Sequence, residues 1–250
     1  MYVIIINVKV YILKNAARTD EMEDFAYIEN NLRELSDEIR QLSAKHGRAV
    51  TLVAVTKSGT DDELIALAQA GVTDIGENRP GELERRGKLL AEAGCTPRLH
   101  EIGNLQRNKV KLIVPSVALI HSLDNLALAK EIDKQAAKVG RRIPVLIEVN
   151  SAKEEQKDGV MPEDAESFFL AVRDFPNISV AGIMTMGPVC DSSEDIRPYF
   201  RLTREIYDRL NRTYGFEGGG ILSMGMSDSY VVAIEEGATL VRVGRRLFNK

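Results

Sequence analysis

The chain has 250 residues, 44% apolar and 28% charged, with a formal net charge of −4. That length suits one alpha/beta barrel whose core removes roughly three quarters of the unfolded chain's surface from water. The small acid excess argues against a nucleic-acid binder, which needs clustered Lys and Arg. Two cysteines, Cys95 and Cys190, form neither a C-x-x-C pair nor a Cys/His cluster, so neither a disulfide framework nor a metal site is expected, and a reducing cytoplasm is.

The apolar stretch Met1 to Leu13 is interrupted by Asn7 and Lys9. It falls far short of the ~20 apolar residues of a membrane span. Lys9 lies inside the stretch, where a secretory signal would place its charge ahead of it. Residues 1–20 are therefore expected to be an appendage, and residues 21–250 a single domain. A helix over Glu21 to Lys45 follows, with Ile28, Leu32, Leu35, Ile39 and Leu42 at three/four spacing and Gly47 just beyond its end. It is expected to pack across one end of the fold.

Eight short apolar runs come next, at Thr51–Val55, Val72–Ile75, Arg98–Ile102, Ala118–His121, Pro144–Val149, Ser179–Ile183, Ile221–Ser223 and Thr239–Val243. Amphipathic segments separate them, such as Leu64/Leu67/Ala68 and Leu126/Ala129/Ile132. Repeated beta-alpha units of this kind predict an α/β fold, a single (β/α)8 TIM barrel with an extra N-terminal helix. A doubly wound open sheet would leave edge strands that these runs do not advertise.

In such a barrel the chemistry sits where strands end and the following loops begin. Lys57 directly follows the first run. By itself it is either a solvated lysine or an amine desolvated by the barrel walls and able to form a Schiff base with a carbonyl. The loops after runs seven and eight, Ser223-Met224-Gly225-Met226-Ser227 and Val243-Gly244-Arg245, carry small residues whose N–H groups can approach a phosphate. Ser223 or Ser227 can add a hydroxyl, and Ser227-Asp228 is the expected N-cap of the next helix; the same residues also simply make turns. Together, an amine and a phosphate loop at one mouth suit a phosphorylated aldehyde such as pyridoxal phosphate. Arg242, inside the last run, either pairs with an acid such as Glu148 or donates to a bound pyridine nitrogen.

The segments LVAVTKS (52–58), GENR (76–79), HEIGNLQRNKV (100–110), HSLDN (121–125), VLIEVN (145–150), GIMTM (182–186), RPYF (197–200), LSMGMSDSYVVAIEEGATLVRVG (222–244) and LF (247–248) resemble the pyridoxal phosphate homeostasis proteins of the YggS/PROSC type. The barrel of that family is similar to the N-terminal domain of alanine racemase, a fold type III arrangement. The resemblance implies that Lys57 is the Schiff-base lysine. It places Asn78, Asn150 and Met184 beside the cofactor, Ser223, Met224 and Gly244 in the phosphate cradle, and Arg242 against the pyridine nitrogen. His100 falls in the family's strand-three motif and is expected to be a packed histidine. Arg245 departs from the family, many members of which carry threonine there, so phosphate contact by a guanidinium or an outward side chain are both open.

Two functions are then open. One is a binder that holds pyridoxal phosphate for vitamin B6 and amino-acid homeostasis without robust catalysis and delivers it to apo-enzymes; the other is an amino-acid racemase. Racemisation needs a second base opposite the lysine. The tyrosines fall in helices, helix starts or the N-terminal appendage, Cys190 is the only thiol near a strand end, and the chain stops soon after run eight. The expectation is therefore a monomeric, cytoplasmic binder with no catalytic residue. A barrel acting on a sugar phosphate would keep the phosphate loops without the imine.

Overall fold

The computed structural model describes residues 25–154 and 156–250, and the expected appendage over residues 1–20 lies outside them. All eight apolar runs become strands: β1 (Thr51–Val55), β2 (Asp74–Glu77), β3 (Arg98–Glu101), β4 (Val117–Leu123), β5 (Ile143–Glu148), β6 (Ile178–Met184), β7 (Ile221–Ser223) and β8 (Leu240–Val243). They close in sequence order into one parallel barrel, β8 pairing with β1 through Val53↔Arg242 and Ala54↔Val243. The expected second run is displaced: β2 begins at Asp74, because Val72 still donates back to Leu67 in the turn leaving the preceding helix.

Alternation along the strands divides the apolar residues into two populations. Val53, Leu119, Leu146, Ala181, Met184 and Leu240 fill the barrel interior. The opposite strand faces join the helices in a larger sheath that includes Ile75, Ile120, Val145, Ile147 and Ile183. The helices of that sheath are α1 (Ala26–Lys45), α2 (Asp61–Gln69), α3 (Pro80–Glu92), α4 (Val110–Ile113), α5 (Leu126–Lys138), α6 (Ala165–Val172), α7 (Arg197–Tyr214), α8 (Tyr230–Glu235) and α9 (Arg245–Phe248). No helix among the described residues is long and apolar enough to cross a membrane.

The N-terminal helix does not close an end of the barrel as expected. It buries Ile28, Leu32, Leu35 and Ile39 and packs against α2, α8 and α9 in the outer ring. The reason is geometric. α9 has four residues, roughly 6 Å of helix, too little to cover the seam between β8 and β1, and α1 takes that place. Arg48 donates to the Ile234 carbonyl, and the Asn31 amide to the carbonyls of Leu247 and Asn249, locking the helix there.

Candidate functional site

Lys57 emerges from β1 into a loop of four residues, Thr56 to Gly59, and its side chain is exposed. Both ends of that loop are held. A capping box closes the far end, with Thr60 Oγ1 accepting from Glu63 N and Glu63 accepting from Thr60 N. Arg86 of α3 donates to the Thr56 carbonyl at 2.6 Å and the Gly59 carbonyl at 2.7 Å, and pairs with buried Glu77 at 2.6 Å. Glu77 also accepts from the Thr56 hydroxyl. The loop that presents the lysine is thus braced from outside the barrel by one buried ion pair.

The loops after β7 and β8 meet beside it. Gly225 sits at φ +93, where a Cβ would lie 2.5 Å from the Ala233 Cβ, and a Cβ on Gly244 would lie 2.7 Å from the Val55 carbonyl oxygen. Only glycine allows these approaches. Gly244 N donates to Ser227 Oγ at 3.4 Å, tying the two loops together. The N-cap of α8 is Ser229, not Ser227-Asp228 as expected, because Met226 N donates to Ser229 Oγ and the helix starts one residue later. Met224 is fully buried with its side chain in the outer sheath, leaving only its backbone to face the mouth. Arg245 is exposed and pairs with Asp228 across the two loops.

Arg242 is 3% exposed. It donates to Ser223 Oγ at 2.5 Å, to the Thr185 carbonyl at 3.1 Å and to the Met186 sulfur at 3.4 Å. No carboxylate among the described residues lies within ion-pair reach of it, so the expected alternative of a pair with Glu148 is not formed. Burial pushes the guanidinium down to about 10, partly offset by the charge of Glu148, and it stays ionised at neutral pH. Behind it runs a buried chain of side chains: Ser223 Oγ to His121 Nδ1 at 3.0 Å, His121 Nε2 to His100 Nδ1 at 3.0 Å, and His100 Nε2 to Asp74 Oδ1 at 2.9 Å. Complete burial drives the His121 imidazole well below its ordinary value, with His100 and Arg242 pushing the same way. Burial would raise the Asp74 carboxyl, but hydrogen bonds from His100, Arg98 and Thr73 hold it at about 2.

Of the other expected site residues, Asn78 is exposed at the end of β2, and Met184 lies in the barrel interior beneath the mouth. Asn150 organises its own loop, donating to the carbonyls of Glu154 and Lys157 and accepting from Glu154 N. The acids gather on the β3–β5 side. Burial pushes the Glu148 carboxyl up to about 7, helped by Asp124, and burial raises Asp124 as well. No cluster of three or more His, Cys, Asp or Glu able to hold a metal occurs among the described residues.

Sequence reasoning passed over Arg86, Asp74 and His121 as functional residues. Arg86 had a signal, standing between Leu83 and Leu90 on the buried face of α3. So did the histidines: the chain has three, and two of them stand within apolar strands.

Residues 30–249 match the family model described as alanine racemase, N-terminal domain. A pyridoxal phosphate homeostasis protein from Aquifex aeolicus is 40% identical over 222 residues, covering 88% of this chain and 96% of the relative. The chain therefore belongs to the pyridoxal phosphate homeostasis proteins, within the class that shares the N-terminal barrel of alanine racemase. Among solved structures, PipY of Synechococcus elongatus PCC7942 with PLP bound is 27% identical with a TM-score of 0.77, covering 89% of this chain and all of PipY. Alanine racemase from Corynebacterium glutamicum, 19% identical with a TM-score of 0.66, shares the fold over 90% of this chain and 61% of its own length.

Proposed function

We propose that the protein binds pyridoxal 5'-phosphate at the barrel mouth and serves intracellular vitamin B6 and amino-acid homeostasis, holding the ligand as a Schiff base on Lys57 without robust catalysis. Pyridoxal phosphate supplies an aldehyde that condenses reversibly with an amine, a pyridine ring and a dianionic phosphate. The observation that carries the reading is Arg242: a buried, ionised guanidinium whose protein partners are all neutral. A buried charge of this kind calls for an external acceptor, and a pyridine nitrogen is one.

The rest of the site fits the same group. Lys57 stands one strand over from Arg242, with no side chain among the described residues paired to its Nζ. Gly225 and Gly244 open the two loops to an anion, and Ser227 adds a hydroxyl. Met184 forms the floor, while Asn78 and the Asn150 loop form the walls. A guanidinium facing the ring nitrogen keeps that nitrogen unprotonated, which weakens electron withdrawal and favours holding the ligand over transforming it.

For the racemase reading, neither the loop thiol nor the tyrosines of α7 and α8 offer the second base. The Cys190 thiol is raised by burial and by Asp195 and Asp191. Tyr199, Tyr207, Tyr214 and Tyr230 all lie on α7 and α8. Delivery to apo-enzymes by a cytoplasmic monomer completes the reading.

The experiment is an absorbance spectrum of the purified protein with added pyridoxal phosphate, before and after borohydride, followed by peptide mapping. A yellow band that borohydride abolishes and fixes on the peptide containing Lys57 is the expected result. A protein that stays colourless overturns the proposal and leaves the sugar-phosphate barrel. A D-amino-acid assay on the yellow protein separates binder from racemase, the expected turnover being negligible.

A further inference from the structure

The chain Asp74–His100–His121–Ser223–Arg242 runs from the first residue of β2 to the last residue of β7 and on to β8, through the inside of the barrel. Its direction follows from its two ends. Ionised Asp74 only accepts, so His100 Nε2 carries a proton. With a single proton on His100, its Nδ1 is bare and takes a hydrogen bond from His121 Nε2–H. His121 Nδ1 is bare in turn and accepts from the Ser223 hydroxyl, whose oxygen is left to accept from Arg242. Every donor points the same way, and hydrogen bonds aligned like this reinforce one another.

We propose that Asp74, at the end of the barrel remote from the mouth, and His100, in the interior beside it, are positioning residues that fix the Ser223 hydroxyl as an acceptor and so aim the Arg242 guanidinium at its ligand. The consequence for binding rests on the pyridoxal phosphate reading; the direction of the chain does not. Were the chain reversed, His121 Nδ1–H would donate to Ser223, whose own proton would turn outward and compete with Arg242. Asp74 excludes this arrangement as long as His100 carries one proton, because that proton is then held on Nε2. Its second oxygen is held by Arg98 and Thr73, so it is fixed in place.

The test is nitrogen-15 NMR of the imidazole rings in the full chain with no ligand added. Nε2–H tautomers are expected on both His100 and His121; an Nδ1–H tautomer on either ring overturns the proposal. In Asp74→Asn, whose amide can present an oxygen or an NH2 group, His121 is expected to populate the Nδ1–H form, and the Kd for pyridoxal phosphate to rise about tenfold, the scale of one hydrogen bond to a charged group. His100→Leu is expected to weaken binding similarly, whereas His100→Gln, which can donate to Asp74 and accept from His121, restores both the His121 tautomer and the affinity. Wild-type affinity in Asp74→Asn or His100→Leu overturns the positioning role. Should the wild-type protein bind no pyridoxal phosphate, the functional reading falls, and the ring tautomers still decide the direction of the chain.

Discussion

Two arginines, Arg86 and Arg242, are both buried against the barrel wall and differ in what they meet. Arg86, outside the barrel, pairs with the Glu77 carboxylate and two loop carbonyls. Arg242, inside, meets a hydroxyl, a carbonyl and a thioether. The first charge is neutralised within the protein and serves to hold the Lys57 loop. The second has only neutral hydrogen-bond partners, with the Glu148 charge acting on it from beyond ion-pair reach. Burial alone does not tell the two apart; the charge of the partner does.

The sharpest separation of brace from site comes at Lys57 itself. Lys57→Ala is expected to abolish borohydride trapping entirely while changing stability by less than about 0.5 kcal/mol, because the side chain is exposed and touches neither assembly. A comparable loss of stability would place the lysine in the fold rather than in the site. The arginines should then part ways. Arg86→Met leaves Glu77 buried without its partner and is expected to destabilise the protein by about 3–5 kcal/mol in denaturant unfolding. Arg242→Met removes a charge that has no carboxylate to orphan, so its stability loss should stay under about 2 kcal/mol, from the Thr185 carbonyl left without its donor, while the Ser223 hydroxyl keeps His121. Its effect falls on pyridoxal phosphate affinity instead, about tenfold or more. Equal stability losses in the two variants would break the distinction.

Two carboxyls extend the contrast to pH. Asp74, inside and hydrogen-bonded, is held at about 2, whereas burial, with Glu77 adding repulsion, pushes Glu101 up to about 8 against one opposing N–H from Gly103. A lowered carboxyl stabilises the fold above its unfolded pKa, and that contribution is lost as the pH falls from near 3.8 through 2. A raised carboxyl acts oppositely: the folded state holds the proton longer, so stability declines as the pH rises from near 4.5 to about 8. Glu101→Gln should flatten that decline, a change on the order of a few kcal/mol across the window, checked by unfolding midpoints at pH 5 and about pH 8. An unchanged slope would mean that Glu101 is solvated rather than buried.

The barrel was legible because its signal is repeated: eight apolar runs and the amphipathic segments between them each restate one period. Lys57, Gly244 and Arg242 were legible because their places at strand ends follow from those runs. What escaped was whatever depends on register and side-chain direction. Ser223 was expected in the phosphate cradle, yet its hydroxyl is engaged by Arg242 and His121, which sequence spacing cannot reveal because β4 and β7 meet only across the barrel interior. The position of α1 escaped for a different reason: it is decided by the shortness of α9 at the other end of the chain. The sequence pattern marked the helix without its neighbours.

Arg245 can be set beside Arg86 and Arg242, and is the mildest test of the contrast. Its guanidinium pairs with Asp228, with both side chains largely exposed. Exposed pairs contribute about 0–1 kcal/mol, so Arg245→Ala should scarcely move the unfolding midpoint. With the side chain engaged across the two loops, the proposed phosphate contacts are Ser227 and the backbone around Gly225 and Gly244, and the Kd for pyridoxal phosphate should change by less than about threefold. A larger loss would show that the guanidinium leaves Asp228 when the phosphate arrives. Arg245 would then be a ligand contact after all.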